Sequence, residues 1–291
     1  MNKLRQFLIE WLSDTMWYLL VPLLAQLLPL FLAEKFLGFL SARSWCLRSF
    51  AMSALHEAQK HVEINDPERW LRQFKLVRMG EAYDLFYYQI RRGSALKRFP
   101  GLTEKPQWPQ CVLGLHWGVG LSILKLIHET GGKPRIVMRK VEPGFWKVRP
   151  GFYLYMQIMV RFIHRCCYGR EIPVPGGIRE IKQQNADETL VFLTDVPTVS
   201  KRRFNKVSLN QTDLCFDSGG LKIVANMKIS CAWYSVGIGE SALTRQLQLS
   251  DFIQSPEQEV LEAGAAEQVN KLVSLDSAQW QMWPYLSQFV L

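Results

Sequence analysis

His116 sits where an apolar run meets a run of glycines, Cys111-Val112-Leu113-Gly114-Leu115-His116-Trp117-Gly118-Val119-Gly120. A short continuous apolar run reads as a strand buried on both faces. A histidine directly after it, beside glycines that permit close ligand approach or simply a tight turn, occupies a place where a general base is commonly presented. An imidazole there can take a proton from a hydroxyl near neutral pH. Asp195 follows a second apolar run, Thr189 to Leu193, and Arg139 ends a third, Arg135 to Met138. An aspartate in that place can orient an imidazole or cap a turn. An arginine can hold a head-group phosphate or pair with a carboxylate. Gly176-Gly177, opening a helix that carries Arg179, offers backbone N–H groups to a phosphate or forms an ordinary loop. Lys201-Arg202-Arg203 reads as a solvated loop or, beside a membrane, as a contact for lipid phosphate or an acidic carrier.

Metal and thiol chemistry are not expected. The cysteines Cys46, Cys111, Cys166, Cys167, Cys215 and Cys231 contain no C-x-x-C pair and no metal-like alternation with the five histidines. They read as reduced structural thiols of a domain facing a reducing compartment, and no metal or cofactor is predicted. His56 and His61 lie in a polar helical stretch and are expected to be solvated; His128 is expected on a helix surface.

Three chemistry-bearing strand ends require a sheet that brings them to one crevice. Ser122 to Glu129 reads as a helix stopped by Gly131-Gly132, which makes a βαβ unit with the strands around it. Ligands of open parallel sheets bind beyond the carboxyl ends of the strands, where His116, Arg139 and Asp195 fall. Further along, helices are expected from Ile178 to Gln184, from Gly219 to about Asn226 and from Glu257 to Leu275, with a strand from Ile229 to Val236 and an aromatic tail at Trp280 and Trp283. Before the first strand, Asp66 to Phe99 is helical, capped by Asn65-Asp66-Pro67-Glu68. The expected fold is α/β, a mainly parallel central sheet flanked by helices, preceded by an N-terminal hydrophobic membrane-anchoring helix. The anchor is placed at 1–48 and the α/β domain at 49–291.

The anchor reading rests on two features. Leu4, Phe7, Leu8, Trp11 and Leu12 recur at helical spacing opposite Lys3, Arg5, Gln6, Glu10 and Asp14, as in a helix lying in a membrane interface. Met16 to Ala33 then runs eighteen residues without a charge, close to the roughly 20 needed to cross a bilayer. Pro22, Gln26 and Pro29 interrupt it, so a kinked span, a re-entrant hairpin and a monotopic segment all fit. Glu10 and Asp14 ahead of the apolar run argue against a cleavable signal peptide. Lys35, Arg43 and Arg48 behind it place the body on the cytoplasmic side.

The ordered segments "VPLLAQLLPLFLAEKFLGFLSAR", "PERWLRQFKLVRMGEAYDLFYY", "LGLHWGVGLSILKLI", "IVMRK", "PVPGGIREIKQQNADETLVFLTDVP", "GGLKIVANMKISCAWYSV" and "AQWQMW" resemble the bacterial lipid A late acyltransferases, within the wider lysophospholipid acyltransferase superfamily. The resemblance implies an enzyme at the cytoplasmic face of a Gram-negative inner membrane. It would move a fatty acyl chain from acyl carrier protein, or a coenzyme A thioester, to a hydroxyl of a membrane lipid or glycolipid. In that family a histidine and an acid five positions later form the catalytic pair. His116 matches the histidine; the acid position is Leu121, and no acid occurs between His116 and Glu129. Asp195 is the expected substitute, with Arg139, Arg179, Lys201, Arg202 and Arg203 as substrate-binding residues. The family's closing basic residues are replaced here by Pro284 and Tyr285.

Over the 291 residues, 35 Lys and Arg against 26 Asp and Glu leave a formal charge of +9. The natural partners are anionic: an acidic carrier, lipid head groups or nucleic acid. No zinc finger, helix-turn-helix or RNP motif is present, which excludes nucleic acid as the reading. At 48% hydrophobic and 21% charged, disordered and multi-span classes are excluded as well. Two other readings stay open: a catalytically inactive relative that binds lipid or acyl carrier protein in a glycolipid or polysaccharide assembly pathway, and a peripheral basic protein without acyl chemistry.

Overall fold

Apolar runs with few charges make the central strands, and amphipathic segments between them make the covering helices. A computed structural model of the chain describes residues 3–174, 177–197, 204–210, 212–239 and 241–289. The strands are β1 (Cys111–Gly118), β2 (Lys133–Arg139), β3 (Ile172–Val174), β4 (Glu188–Leu193), β5 (Phe204–Leu209), β6 (Thr212–Asp217), β7 (Cys231–Ile238) and β8 (Arg245–Leu249). Six of them form one sheet in the order β3-β2-β4-β1-β7-β8. Its first five strands run parallel, and β8 pairs antiparallel with β7. β5 and β6 form a separate antiparallel hairpin.

The helices are α1 (Lys3–Thr15), α2 (Val21–Leu27), α3 (Leu30–Ser41), α4 (Arg48–Ala58), α5 (Pro67–Gln89), α6 (Ser122–Glu129), α7 (Pro150–Cys166), α8 (Ile178–Lys182), α9 (Gly219–Met227) and α10 (Gln258–Asp276). α5 starts at the expected cap, where the Asp66 carboxylate accepts from the Arg69 amide at 2.9 Å. α6 has the bounds read from the sequence. The hairpin, the antiparallel edge strand β8 and the helix α7 are not among the expectations. Their local patterns are either mixed or interrupted, and burial against neighbouring elements fixes them.

The N-terminal residues are not a detached anchor. α1 continues through a π-helical stretch, Met16–Leu20, into α2, and the helix breaks at Leu28, which is extended before Pro29. One face, with Trp17, Tyr18, Val21 and Ala25 buried, belongs to the same apolar core as Met79, Tyr83, Ile123 and Val191. Polar groups of that face are tied to the body. Gln26 donates to the Tyr83 carbonyl at 2.9 Å, Arg91 bonds the carbonyl of Gln26, and Asp14 pairs with Arg149 at 2.5 Å. The opposite face leaves Leu8, Trp11, Leu12, Leu24, Leu27 and Phe31 exposed.

Candidate active site

β1 runs three residues further than the apolar run predicts, so His116 lies inside the strand near its carboxyl end rather than after it. The extension follows from Gly118, which adopts φ +62° at a break in the β1–β7 register; a Cβ there would stand 2.1 Å from the Val236 carbonyl oxygen. The requirement for glycine at 118 is thus a close backbone approach within the sheet.

Parallel register brings the two expected residues together. Gly114 faces Leu193 across β1 and β4, and the Thr194 amide donates to the Gly114 carbonyl at 2.8 Å. Carried two residues on, that register sets Asp195 beside His116. The Asp195 carboxylate accepts from His116 Nδ1 at 2.8 Å and, through both oxygens, from the His116 amide at 2.9 Å. A third donor, Trp280 Nε1, reaches Oδ2 at 2.8 Å. Asp195 is wholly buried, whereas a third of the His116 side chain is exposed, 34%. A carboxylate only accepts, so Nδ1 carries the ring proton and Nε2 is left as the basic lone pair.

Burial acts on His116 to disfavour its charged form. The charge and hydrogen bond of Asp195 outweigh this, aided by the charge of Glu81 and opposed by Arg78, and the net shift is upward from the usual imidazole value of 6.5. The arrangement is an oriented imidazole with a buried counter-charge, a form suited to taking and returning a proton.

The C-terminal segment clamps the strand that carries the base. Trp280 bridges Trp117, the Gln281 amide donates to the His116 carbonyl at 2.8 Å, and the Gln281 side chain bonds the Gly118 carbonyl. Arg78 Nη2 in turn donates to the Gln281 carbonyl at 2.9 Å. Glu81, one helical turn along α5, is within hydrogen-bonding reach of Gln281 and influences His116 by its charge; burial pushes its carboxyl up. Trp280, Gln281, Arg78 and Glu81 were not among the expected site residues. Two charges at i and i+3 inside the apolar stretch Leu76 to Tyr83 are the sequence signal for the α5 pair. Leu121, where the resemblance expects an acid, is the N-cap residue just before α6 and packs against the core.

The other expected residues lie elsewhere. Arg139 ends β2, two strands from β1, exposed and paired with Glu142 at 3.1 Å. Arg179 is exposed on the five-residue α8. Gly177 beside it is required by packing, since a Cβ there would stand 2.3 Å from Ile172 Cγ2. Gly176, Lys201, Arg202 and Arg203 lie outside the described residues. His61 corrects its expectation: it is buried and stacked on Trp283, ring centroids 6.2 Å apart, because the turn after α4 tucks it beneath the C-terminal segment. His128 is half-buried, with Nδ1 3.2 Å from the Cys166 carbonyl. All six cysteines are free and buried.

A cleft of about 630 Å³ between α8, α9 and α10, lined by Lys182, Ser218, Lys222 and Glu262, lies away from His116. It has space but no oriented base, so the chemistry is assigned to the His116 constellation. No family model and no curated protein matches the chain.

Proposed function

We propose that the protein is a membrane-associated acyltransferase that moves a fatty acyl chain from an acyl thioester, carried by acyl carrier protein or coenzyme A, to a hydroxyl of a lipid or glycolipid. The observation that carries this reading is the buried Asp195 carboxylate holding His116 by Nδ1 while Trp280 holds the carboxylate. His116 Nε2 removes the acceptor's hydroxyl proton as the oxygen attacks the thioester carbonyl. The tetrahedral adduct then expels the thiolate, which takes that proton from the imidazolium. Asp195 stabilises the imidazolium between the two transfers and fixes the tautomer.

The chain's formal charge of +9 suits an acidic carrier and an anionic membrane surface. The run Phe7–Leu27 is long and apolar enough to cross a membrane, but one of its faces is engaged with the body. Its open face of Leu, Trp and Phe side chains supports in-plane attachment, with lipid on one side and the protein core on the other. The location proposed is the cytoplasmic face of a Gram-negative inner membrane.

The test is transfer of label from acyl carrier protein to inner-membrane lipids by the purified full chain, compared with His116→Ala. Transfer by the wild type that the substitution abolishes supports the enzyme. No transfer by either, with lipid or carrier still bound, rejects it in favour of an inactive homologue, the reading that Leu121 favours.

A further inference from the structure

Among the described residues, Arg78 is a cation with no carboxylate in salt-bridge contact, tied to the strand that carries the reactive histidine; the charge of Glu81, one turn along α5, is felt at longer range. Its guanidinium stacks over Phe50, 5.0 Å from the ring centroid, and Phe74, 6.0 Å away, and among the described residues makes one hydrogen bond, to the Gln281 carbonyl. Among the described residues no carboxylate comes within 4.0 Å of it, and its Nε is buried without a partner. The nearby Arg149, in contrast, is neutralised by Asp14. Two hydrogen bonds, Arg78 to the Gln281 carbonyl and the Gln281 amide to the His116 carbonyl, tie this cation to the strand that carries the base. Stacking on two phenyl rings removes water from the guanidinium, and a partly desolvated cation with spare donors is stabilised by an anionic oxygen group.

We infer that Arg78 forms an anion subsite next to His116 that takes the phosphate or carboxylate of the lipid ligand. The subsite rests on His116 being the reactive group, but its occupancy is measured without turnover. Glu81 lies on the same turn of α5; burial raises its carboxyl, and the charge of Arg78 acts against that rise. The anion has two sources, a phosphorylated head group or a fatty carboxylate. A neutral acceptor lipid is excluded from this subsite's preference.

The full chain in detergent is titrated calorimetrically with dihexanoyl phosphatidic acid, octanoate and neutral dihexanoylglycerol. The expected result is tighter binding of one or both anions than of the neutral lipid. Arg78→Met should weaken that anion roughly 10- to 100-fold, the loss of a charge-assisted bond, with partial rescue in Arg78→Lys and retained binding in Glu81→Gln and His116→Ala. Phosphatidic acid alone identifies a head-group site and octanoate alone a carboxylate site. Equal binding of the neutral lipid, or unchanged anion binding in Arg78→Met, overturns the subsite. A second measurement needs no variant: diethyl pyrocarbonate labelling of His116, read by mass spectrometry, should be slowed by the bound anion and not by dihexanoylglycerol. Equal labelling with anion and neutral lipid overturns the subsite as well, whether or not acyl transfer is ever detected.

Discussion

The protonation state of His116 decides what this site can do. Its base form is the neutral ring, and Asp195 and Glu81 hold its pKa above 6.5. Transfer should therefore rise with pH through an acidic limb lying above that value. Asp195→Asn removes the largest effect opposing burial and leaves only the smaller influence of Glu81 against burial and Arg78, so the limb should move to lower pH while the rate falls by about 10³- to 10⁴-fold. A limb that stays in place in a pH–rate profile would remove Asp195 from the dyad. Trp280→Phe keeps the ring and deletes the donor to Oδ2; a roughly tenfold loss in kcat with little change in KM is expected, measured by steady-state transfer. Asp195 was legible because two apolar runs end at equivalent offsets in neighbouring parallel strands. Trp280 and Arg78 were not, since their roles come from segments far apart in the chain that meet only in the fold.

At the scale of elements, the N-terminal helix has one occupied side and one open side. Leu12, Leu24 and Leu27 face outward, whereas Tyr18 and Gln26 face α5 and α7. Single cysteines at positions 8, 12 and 24 carrying spin labels should show immersion at a common shallow depth in anionic vesicles. Labels graded from one membrane surface to the other would establish a span instead. Hydropathy could not separate these two outcomes because it counts apolar residues without knowing which face the body covers. The amphipathic start was legible, and so were α6 and the four longest parallel strands, whose burial on both faces leaves a continuous apolar text. The β5–β6 hairpin was not, because its alternation of apolar and polar residues is short and its partners, α10 and Phe289, come late in the chain.

For the whole molecule, Asp84 is a fastening point. It accepts from Arg98 at 2.8 Å, from Arg245 at 2.6 Å and from Ser122 at 3.1 Å, joining α5 to the segment before β1, to α6 and to the edge strand β8. Burial would raise its carboxyl, but Arg245 and then Arg98 prevail and hold it below the usual aspartate value. The stability it contributes is present above the unfolded-state pKa near 3.9. That contribution is lost as pH falls through the lower folded value. Asp84→Asn leaves two buried guanidinium groups unpaired and should cost about 3–5 kcal/mol. Chemical denaturation should show that gap constant from pH 8 to 5 and shrinking below about pH 4. A gap that does not change with pH would assign the loss to packing instead.

The order in which a ribosome delivers these parts gives the Trp280 contact a temporal meaning. His116 and Asp195 emerge well before the end of the chain, yet the indole that steadies the acid and the amide that pins the histidine's strand come only with residues 280 and 281. A nascent chain can thus form the sheet that carries the imidazole before that imidazole is fully held. Full restraint of the His116–Asp195 pair is therefore among the last steps of folding, because it waits for residues 280 and 281.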